Sequence, residues 1–292
     1  MLRLVGENQL YFYLSARNKT MNYTKTRQDD SKKKLSGSTI KIIAIITMVI
    51  GTAATAICDR MLLQNGMADI GNDQEAYQAF MDVNGTLFTA DFILQMIGSL
   101  AFPLFCFLLV EGFMHSSNLK KYAASLGILA VVSEIPFDLV YSGTAFNPSR
   151  QNAVFALLLG LGTLVFLEKA ETSLAQSSLW KQSTAKVLIA AAACILAVFL
   201  RLDYGIFGPL IIVILYSLRN RQVFGMALAC FLMSTTSVML GFLCFLDIIP
   251  VIFYNGERGI QKKYIFYAVY PVVLILIYLI VLLMGLGNVQ IL

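Results

Sequence analysis

The sequence carries little charge for its length. Of its 292 residues only 13% are charged and 58% are hydrophobic, where soluble chains have about 25% charged residues. A soluble domain cannot hide so much apolar surface, because its outer shell is polar. The composition therefore predicts an integral membrane protein, and it excludes a nucleic-acid-binding protein, a secreted disulfide scaffold and a disordered chain.

Histidine and cysteine are also scarce, with one histidine and five cysteines in the chain. They show no spacing typical of metal ligands, so the sequence predicts neither a metal site nor a disulfide framework. It also lacks a P-loop and the glycine pattern of dinucleotide-binding proteins. Any chemistry must therefore depend on isolated polar side chains within apolar segments.

The chain divides into a polar extension, residues 1–38, and a membrane domain, residues 39–290. The extension lacks the pattern of a signal peptide, and we expect it to be basic, cytoplasmic and disordered. The membrane domain is expected to be an all-α polytopic protein of about nine transmembrane helices, several of them short or broken. The predicted spans are 39–57, 88–114, 118–142, 151–168, 184–200, 205–218, 222–239, 241–254 and 264–288.

The distribution of lysine and arginine favours this arrangement. With nine spans, 18 of the 22 basic residues fall in the extension and in loops on its side of the membrane. Arg60, Arg150 and Arg201 lie on the other side. By the positive-inside rule, the N-terminus is then cytoplasmic. Residues 58–87 are predicted to form an external loop with a short amphipathic cap.

Glu111 and His115 are four residues apart and share one face of a predicted helix near the inner membrane surface. A glutamate beside an imidazole can orient it and raise its basicity, as in the base of an acyl-transfer reaction. An interfacial ion pair that ends the helix is the alternative. We single out His115 as a candidate base and Glu111 as its orienting group.

Glu134 and Asp138 flank Pro136 on a second helix, and a charged side chain inside a span needs a partner. Arg201 is the expected partner. The two acids indicate either a polar cavity for a substrate or a buried structural ion-pair network.

Two further clusters lie at predicted helix ends. Arg201, Asp203 and Tyr204 form a junction whose arginine suits phosphate or carboxylate, or simply closes a helix with a salt bridge. Gln151 and Asn152 begin the next external helix, either as an ordinary N-cap or as part of a cavity. Composition alone leaves a membrane transferase and a transporter both open.

Several segments occur together in an order that resembles the TraX family, named for a conjugation protein that acetylates the N-terminus of F pilin. The resemblance spans residues 38–288 and rests on the segments STIKIIAIITM, AFPLFCFLLVEGF, KKY, SEIPFDL, QNAVFALLLGL, LRLDYGIFG, YNGERG and KYIFYAVYP. The family is related to the acyltransferase-three superfamily of membrane acyltransferases. The resemblance therefore implies a bacterial inner-membrane location.

It also implies transfer of an acetyl group from acetyl-CoA to an amine or hydroxyl acceptor, such as a peptide N-terminus, a glycan or a small molecule. The expected partners are membrane lipids, acetyl-CoA and an unidentified acceptor, without nucleic acid. In such an enzyme His115 and Glu111 would be catalytic. The cavity would be lined by Glu134, Asp138, Gln151, Asn152, Arg201, Asp203 and Tyr204.

The chain departs from the family pattern at several charged positions. The first span of family members carries an Asp-His pair where this chain has Gly51 and Thr52. Members also carry arginines where this chain has Ser99 and Ser125, and a histidine where it has valine at 272 or 273. Losing a base typically costs about 10²–10⁴-fold in rate. The sequence thus leaves open an impaired enzyme, a non-catalytic binding or assembly protein, and a small-molecule transporter.

Overall fold

The computed structural model of the chain describes residues 34–236, 241–260 and 263–291. Within these ranges every regular element is helical, apart from two isolated β-bridges. The predicted extension, residues 1–38, lies outside the described residues up to position 33. The α-helices are α1 Gly37–Ala53, α2 Arg60–Gln64, α3 Gln74–Gly98, α4 Ala101–His115, α5 Leu119–Ser142, α6 Ala153–Ser173, α7 Leu179–Phe199, α8 Phe207–Ser217, α9 Gln222–Ser234, α10 Ile248–Ile252 and α11 Lys263–Leu283.

Six helical segments of the described residues are long and apolar enough to cross a membrane. They correspond to six of the nine predicted spans, so the prediction of an all-α polytopic membrane protein is confirmed. In the described parts of the other three predicted spans the helices are shorter. The six segments are Gly37–Gln64, Gln74–His115, Leu119–Ser142, Ala153–Ser173, Leu179–Phe199 and Ile265–Leu283.

The predicted spans 222–239 and 241–254 contain helices too short to cross separately. The 13 residues of α9 cover about 20 Å, less than the ~30 Å of a bilayer core. The two segments pack together, and the Cys230 thiol donates to the Cys244 carbonyl at 2.9 Å. The Cys244 thiol in turn donates to the carbonyl of Ser99 at 3.3 Å, at the break between α3 and α4. They form a helical hairpin that ends against this break.

The predicted external loop 58–87 is largely helical. A π-helical turn, Ala54–Asp59, joins α1 to α2, and α3 begins at Gln74. Asp73 caps α3, because its carboxylate accepts from the backbone N–H of Glu75 at 2.9 Å. Helix formation depends on such caps as well as on hydropathy. The acidic residues lower the hydropathy of this segment, so a prediction based on hydropathy alone does not show the helix.

Arg60, predicted to lie in that loop, is fully buried. Its guanidinium donates to three backbone carbonyls, those of Ala56 at 2.8 Å, Val140 at 2.6 Å and Val289 at 2.9 Å. A buried charge must be hydrogen-bonded to be tolerated. Arg60 thereby joins the end of α5, the π-helical turn and the C-terminal segment on one side of the bundle.

The opposite side of the bundle is closed by the start of α1 and the loop after α10. Leu35 forms a β-bridge with Tyr254, and the Ser38 N–H donates to the Arg258 carbonyl at 3.0 Å. The Arg258 guanidinium donates to the carbonyl of His115 at the end of α4. The helix bundle thus has an N-terminal side, defined by these contacts, and an Arg60 side.

Candidate functional site

A cavity of about 510 Å³ lies between α1, α4, α5, α6 and α11 and runs between the two sides of the bundle. Its middle is lined mainly by apolar and aromatic side chains such as Met48, Phe105, Leu126 and Leu157. Its polar groups are gathered at two places. The histidine end, on the N-terminal side, comprises Lys41, His115, Lys121 and Arg258, and the aspartate end comprises Thr52, Tyr141, Asp203 and Tyr204.

The histidine end is an open, cationic mouth. Lys121 and Arg258 are exposed, and the Lys41 ammonium lies 4.9 Å from the centre of the Phe266 ring. Three basic side chains from α1, α5 and the loop before α11 thus surround His115. Such an arrangement attracts an anionic group, above all phosphate.

Glu111 and His115 do lie on one face of α4, as predicted from their spacing. The imidazole Nδ1 is 2.9 Å from the backbone carbonyl oxygen of Glu111 but 3.8 Å from its carboxylate. The carboxylate instead accepts hydrogen bonds from Gln222 at 2.8 Å and from the Tyr254 hydroxyl at 3.0 Å. Glu111 therefore orients His115 chiefly through its main chain, while its side chain holds the hairpin against α4.

The Tyr254 hydroxyl is in direct contact with this carboxylate. Burial, and then the neighbouring Glu111 carboxylate, raise the pKa of the Tyr254 hydroxyl above its ordinary value. The phenol therefore stays protonated and serves as a hydrogen-bond donor. The predicted catalytic roles of His115 and Glu111 stay predictions, now with a defined geometry.

The aspartate end is built on an ion pair between two loops. One oxygen of Asp203, Oδ1, accepts from Arg150 Nε at 3.1 Å, from the second guanidinium nitrogen at 2.6 Å and from the Tyr204 N–H at 3.0 Å. Burial alone would lower the pKa of Arg150, but the Asp203 carboxylate outweighs it and raises that pKa above its ordinary value. The Arg150 guanidinium therefore stays charged.

Tyr204 completes this end of the cavity. Its ring stacks on Phe102 with centroids 3.6 Å apart and planes 8° from parallel. Its φ of 64°, like the 53° of Arg201, lies in the left-handed region that residues other than glycine seldom adopt. Strained residues of this kind cluster at functional sites, where surrounding contacts hold them in place.

Glu134 and Asp138, predicted as cavity residues, are not among the residues that line this cavity. Each holds the loop between α5 and α6. The Asp138 carboxylate accepts from the Asn147 N–H at 2.8 Å, and the Glu134 carboxylate accepts from the Asn152 N–H at 3.2 Å and from the Asn152 side chain. Among the described residues, their carboxylates accept hydrogen bonds from the loop and form no salt bridge, since the loop folds back onto the helix that contains Pro136.

Asn152 is fully buried and caps α6, accepting from the Val154 N–H at 2.9 Å. It does not line the cavity, and neither does Gln151. The backbone of Gln151 joins the two loops: its N–H donates to the Arg201 carbonyl and its carbonyl accepts from the Asp203 N–H, both at 2.9 Å. Both residues therefore position the aspartate end without facing the cavity.

Arg201 is exposed, and within the described residues no ion pair joins it to Glu134 or Asp138. The cation that pairs with Asp203 is Arg150, which was not among the residues singled out from the sequence. Its pairing with Asp203 depends on the bridge between Gln151 and Leu202, a contact 51 positions apart that no local pattern reveals. The one signal in the sequence was that both loops were expected on the same side of the membrane.

The position of the missing Asp-His pair is also in this region. Thr52 lies at the aspartate end of the cavity, and its side chain approaches the Tyr141 hydroxyl. A Cβ at Gly51 would lie 2.6 Å from the Cα of Gly98, closer than any side chain tolerates. In this chain α1 and α3 therefore pack backbone to backbone where an aspartate would stand.

Comparison with known proteins identifies relatives of this chain. The model of one protein family, described as TraX protein, matches residues 36–281. A probable fimbrial assembly protein, FimC of serogroup H1 from Dichelobacter nodosus, is 28% identical over 204 residues, which is 61% of this chain and 79% of the relative. No solved structure matches. Because the family match covers nearly the whole membrane domain, the chain belongs to the TraX family.

Proposed function

We propose that this protein is a membrane acetyltransferase that moves an acetyl group from acetyl-CoA to an amine or hydroxyl acceptor. The observation that carries the proposal is a single cavity with a cationic mouth at one end and a charged carboxylate at the other. The mouth suits a phosphorylated donor, and the carboxylate suits an acceptor that must lose a proton. Membership of the TraX family supports the same reaction.

The donor is proposed to bind at the histidine end. Lys41, Lys121 and Arg258 provide charges for the phosphates of CoA, and the apolar middle of the cavity accommodates an extended arm that ends in the thioester. His115 lies where it can contact the donor. The basic residues on this side also favour a cytoplasmic N-terminus in the inner membrane, with the aspartate end on the external side.

Calorimetry on the detergent-purified full chain tests the donor site. We expect acetyl-CoA to bind at micromolar concentration and at least tenfold more tightly than acetyl-pantetheine, which lacks the nucleotide phosphates. A Lys181→Gln variant, changed at an exposed lysine that does not line the cavity, should bind like the wild type. Absence of binding at millimolar acetyl-CoA would contradict the proposal.

A second candidate, a non-catalytic assembly protein, is favoured by the contact between Gly51 and Gly98. That contact leaves no room for the aspartate of the family pattern, and one relative is named for fimbrial assembly. This alternative expects neither acetyl-CoA binding nor slow release of CoA by hydrolysis. The same calorimetric experiment, with free CoA measured in the sample, therefore separates the two functions.

A further inference from the structure

Building on the proposed function, we infer that Asp203 takes the proton from the acceptor during acetyl transfer and that Arg150 is the positioning residue that aims it. The sequence analysis placed Asp203 among cavity residues without a specific role and did not select Arg150. The inference names the residue that replaces the missing base of the first span. It also assigns the acceptor to the aspartate end of the cavity.

The geometry of the carboxylate supports this role. All three hydrogen bonds described above converge on Oδ1, and none of them uses Oδ2. The three bonds thus fix the orientation of the carboxylate, and Asp203 also lines the cavity. A general base needs this combination of a fixed orientation and one oxygen within reach of the reacting proton.

The contacts that fix the two loops also support this role of Asp203. Asp138 holds Asn147, Glu134 holds Asn152, and the bridge between Gln151 and Leu202 fixes the second loop to the first. These contacts maintain two non-glycine residues of positive φ, one before and one after the bridge at Leu202, at positions 201 and 204. Such over-determined strain is unnecessary for packing alone and is typical of a site that must hold one side chain accurately.

His115 is less suited to accept this proton. Its side chain is 38% exposed at the mouth of the cavity, whereas that of Asp203 is 12% exposed. A thioester at an exposed mouth would meet water as readily as the acceptor, and closed sites avoid that side reaction. The chemistry is therefore assigned to the sheltered end, and His115 to the donor.

The acceptor nitrogen or oxygen forms a bond to the acetyl carbonyl carbon, and the bond between that carbon and the CoA sulfur breaks. The proton of the acceptor passes to Asp203, and Asp203 returns it to the departing sulfur, so that CoA leaves as a thiol. The aspartate is regenerated, and no oxidant, reductant or metal takes part.

Two small acceptors that differ in their dependence on a general base test the inference on the full chain. Both react as neutral nucleophiles and lose one proton when they attack. Glycinamide is an ordinary amine whose attack depends on a general base, and hydroxylamine is a stronger nucleophile whose attack depends on it less. Asp203→Asn should transfer acetyl to glycinamide about 10²–10⁴-fold more slowly. It should keep transfer to hydroxylamine and acetyl-CoA affinity within about fivefold of the wild type, a difference of ~1 kcal/mol.

The matched control is Asp82→Asn, the same change at an exposed aspartate of α3, which should behave as the wild type. For the positioning role, Arg150→Lys should recover part of the glycinamide activity that Arg150→Gln loses, because a lysine keeps the charge but not the paired contact.

Three outcomes would overturn the inference. The first is full glycinamide activity in Asp203→Asn. The second is an equal loss with both acceptors, which marks a structural role. The third is a wild type that acetylates hydroxylamine but not glycinamide. A wild type that neither binds acetyl-CoA nor transfers acetyl to either acceptor is a different result, because it contradicts the proposed function itself.

Discussion

The two ends of the cavity are held in opposite ways. At the histidine end, exposed or partly exposed cations from three distant segments surround an opening, and the main contacts are made to backbone groups of Ser38, His115 and Arg258. At the aspartate end, buried side chains fix two loops against each other, with Asn152 fully buried and Asp138 2% exposed. An opening that admits a flexible donor does not need a rigid structure, whereas a site that orients a carboxylate does.

This difference separates binding from chemistry within one cavity. Changes at the aspartate end should cost stability or transfer rate, because its groups are buried and interdependent. Changes at the histidine end should cost donor affinity, since its charges are exposed and act at a distance. The following variants test that division in order of decreasing effect.

Replacing the asparagine N-cap at each end shows how much each end contributes to stability. Asn152→Ala removes the cap of α6 and the side-chain donor to the Glu134 carboxylate, so we expect it to lower the free energy of unfolding by about 2–4 kcal/mol. Asn118→Ala removes the exposed cap of α5 at the histidine end, where Asn118 accepts from Lys121 N–H at 2.9 Å, and should cost about 1 kcal/mol or less. Equal losses in denaturant unfolding would refute the proposed difference in rigidity.

The contact between α1 and α3 gives the next largest effect. Gly51→Ala places a methyl group against the Gly98 backbone and should destabilise the protein by about 1–3 kcal/mol. Gly162→Ala, in α6 where a Cβ meets nothing within 4 Å, is the control and should stabilise it by up to about 1 kcal/mol. Thermal unfolding in detergent measures both, and a neutral Gly51→Ala would show that the helices can separate to admit a side chain.

The smallest effect is expected for a single cation of the mouth. Arg258→Gln should weaken acetyl-CoA binding about fivefold, equivalent to ~1 kcal/mol, because an exposed charge acts through screened electrostatics. The loss should shrink as salt is raised from low to physiological concentration. An affinity that is unchanged at low salt would remove Arg258 from the donor site.

Much of the fold was predictable from the sequence because hydropathy and charge report directly on membrane spans. The shared helix face of Glu111 and His115 and the N-cap at Asn152 were also predictable, since both depend on neighbours within one helix. Local patterns could not reveal that Glu134 and Asp138 hold a loop. Nor could they show that Arg150 reaches Asp203, because both facts depend on loops that meet only in the folded bundle.

The same limit explains the errors around Arg60 and residues 58–87. An arginine between apolar segments was expected to mark a loop, yet its guanidinium is satisfied by carbonyls from segments 80 and 229 positions away. A buried cation of this kind is tolerated only when its distant acceptors are in place. Hydropathy therefore predicts where helices run, but not which polar groups they enclose.

Steady-state kinetics of one variant from each end is the most direct measurement. With acetyl-CoA varied at saturating glycinamide, Arg258→Gln should raise the KM for acetyl-CoA about fivefold and leave kcat unchanged. Asp203→Asn should lower kcat by about 10²-fold or more and leave that KM within twofold. Parallel changes of kcat and KM in both variants would contradict a cavity that binds the donor at one end and performs the chemistry at the other.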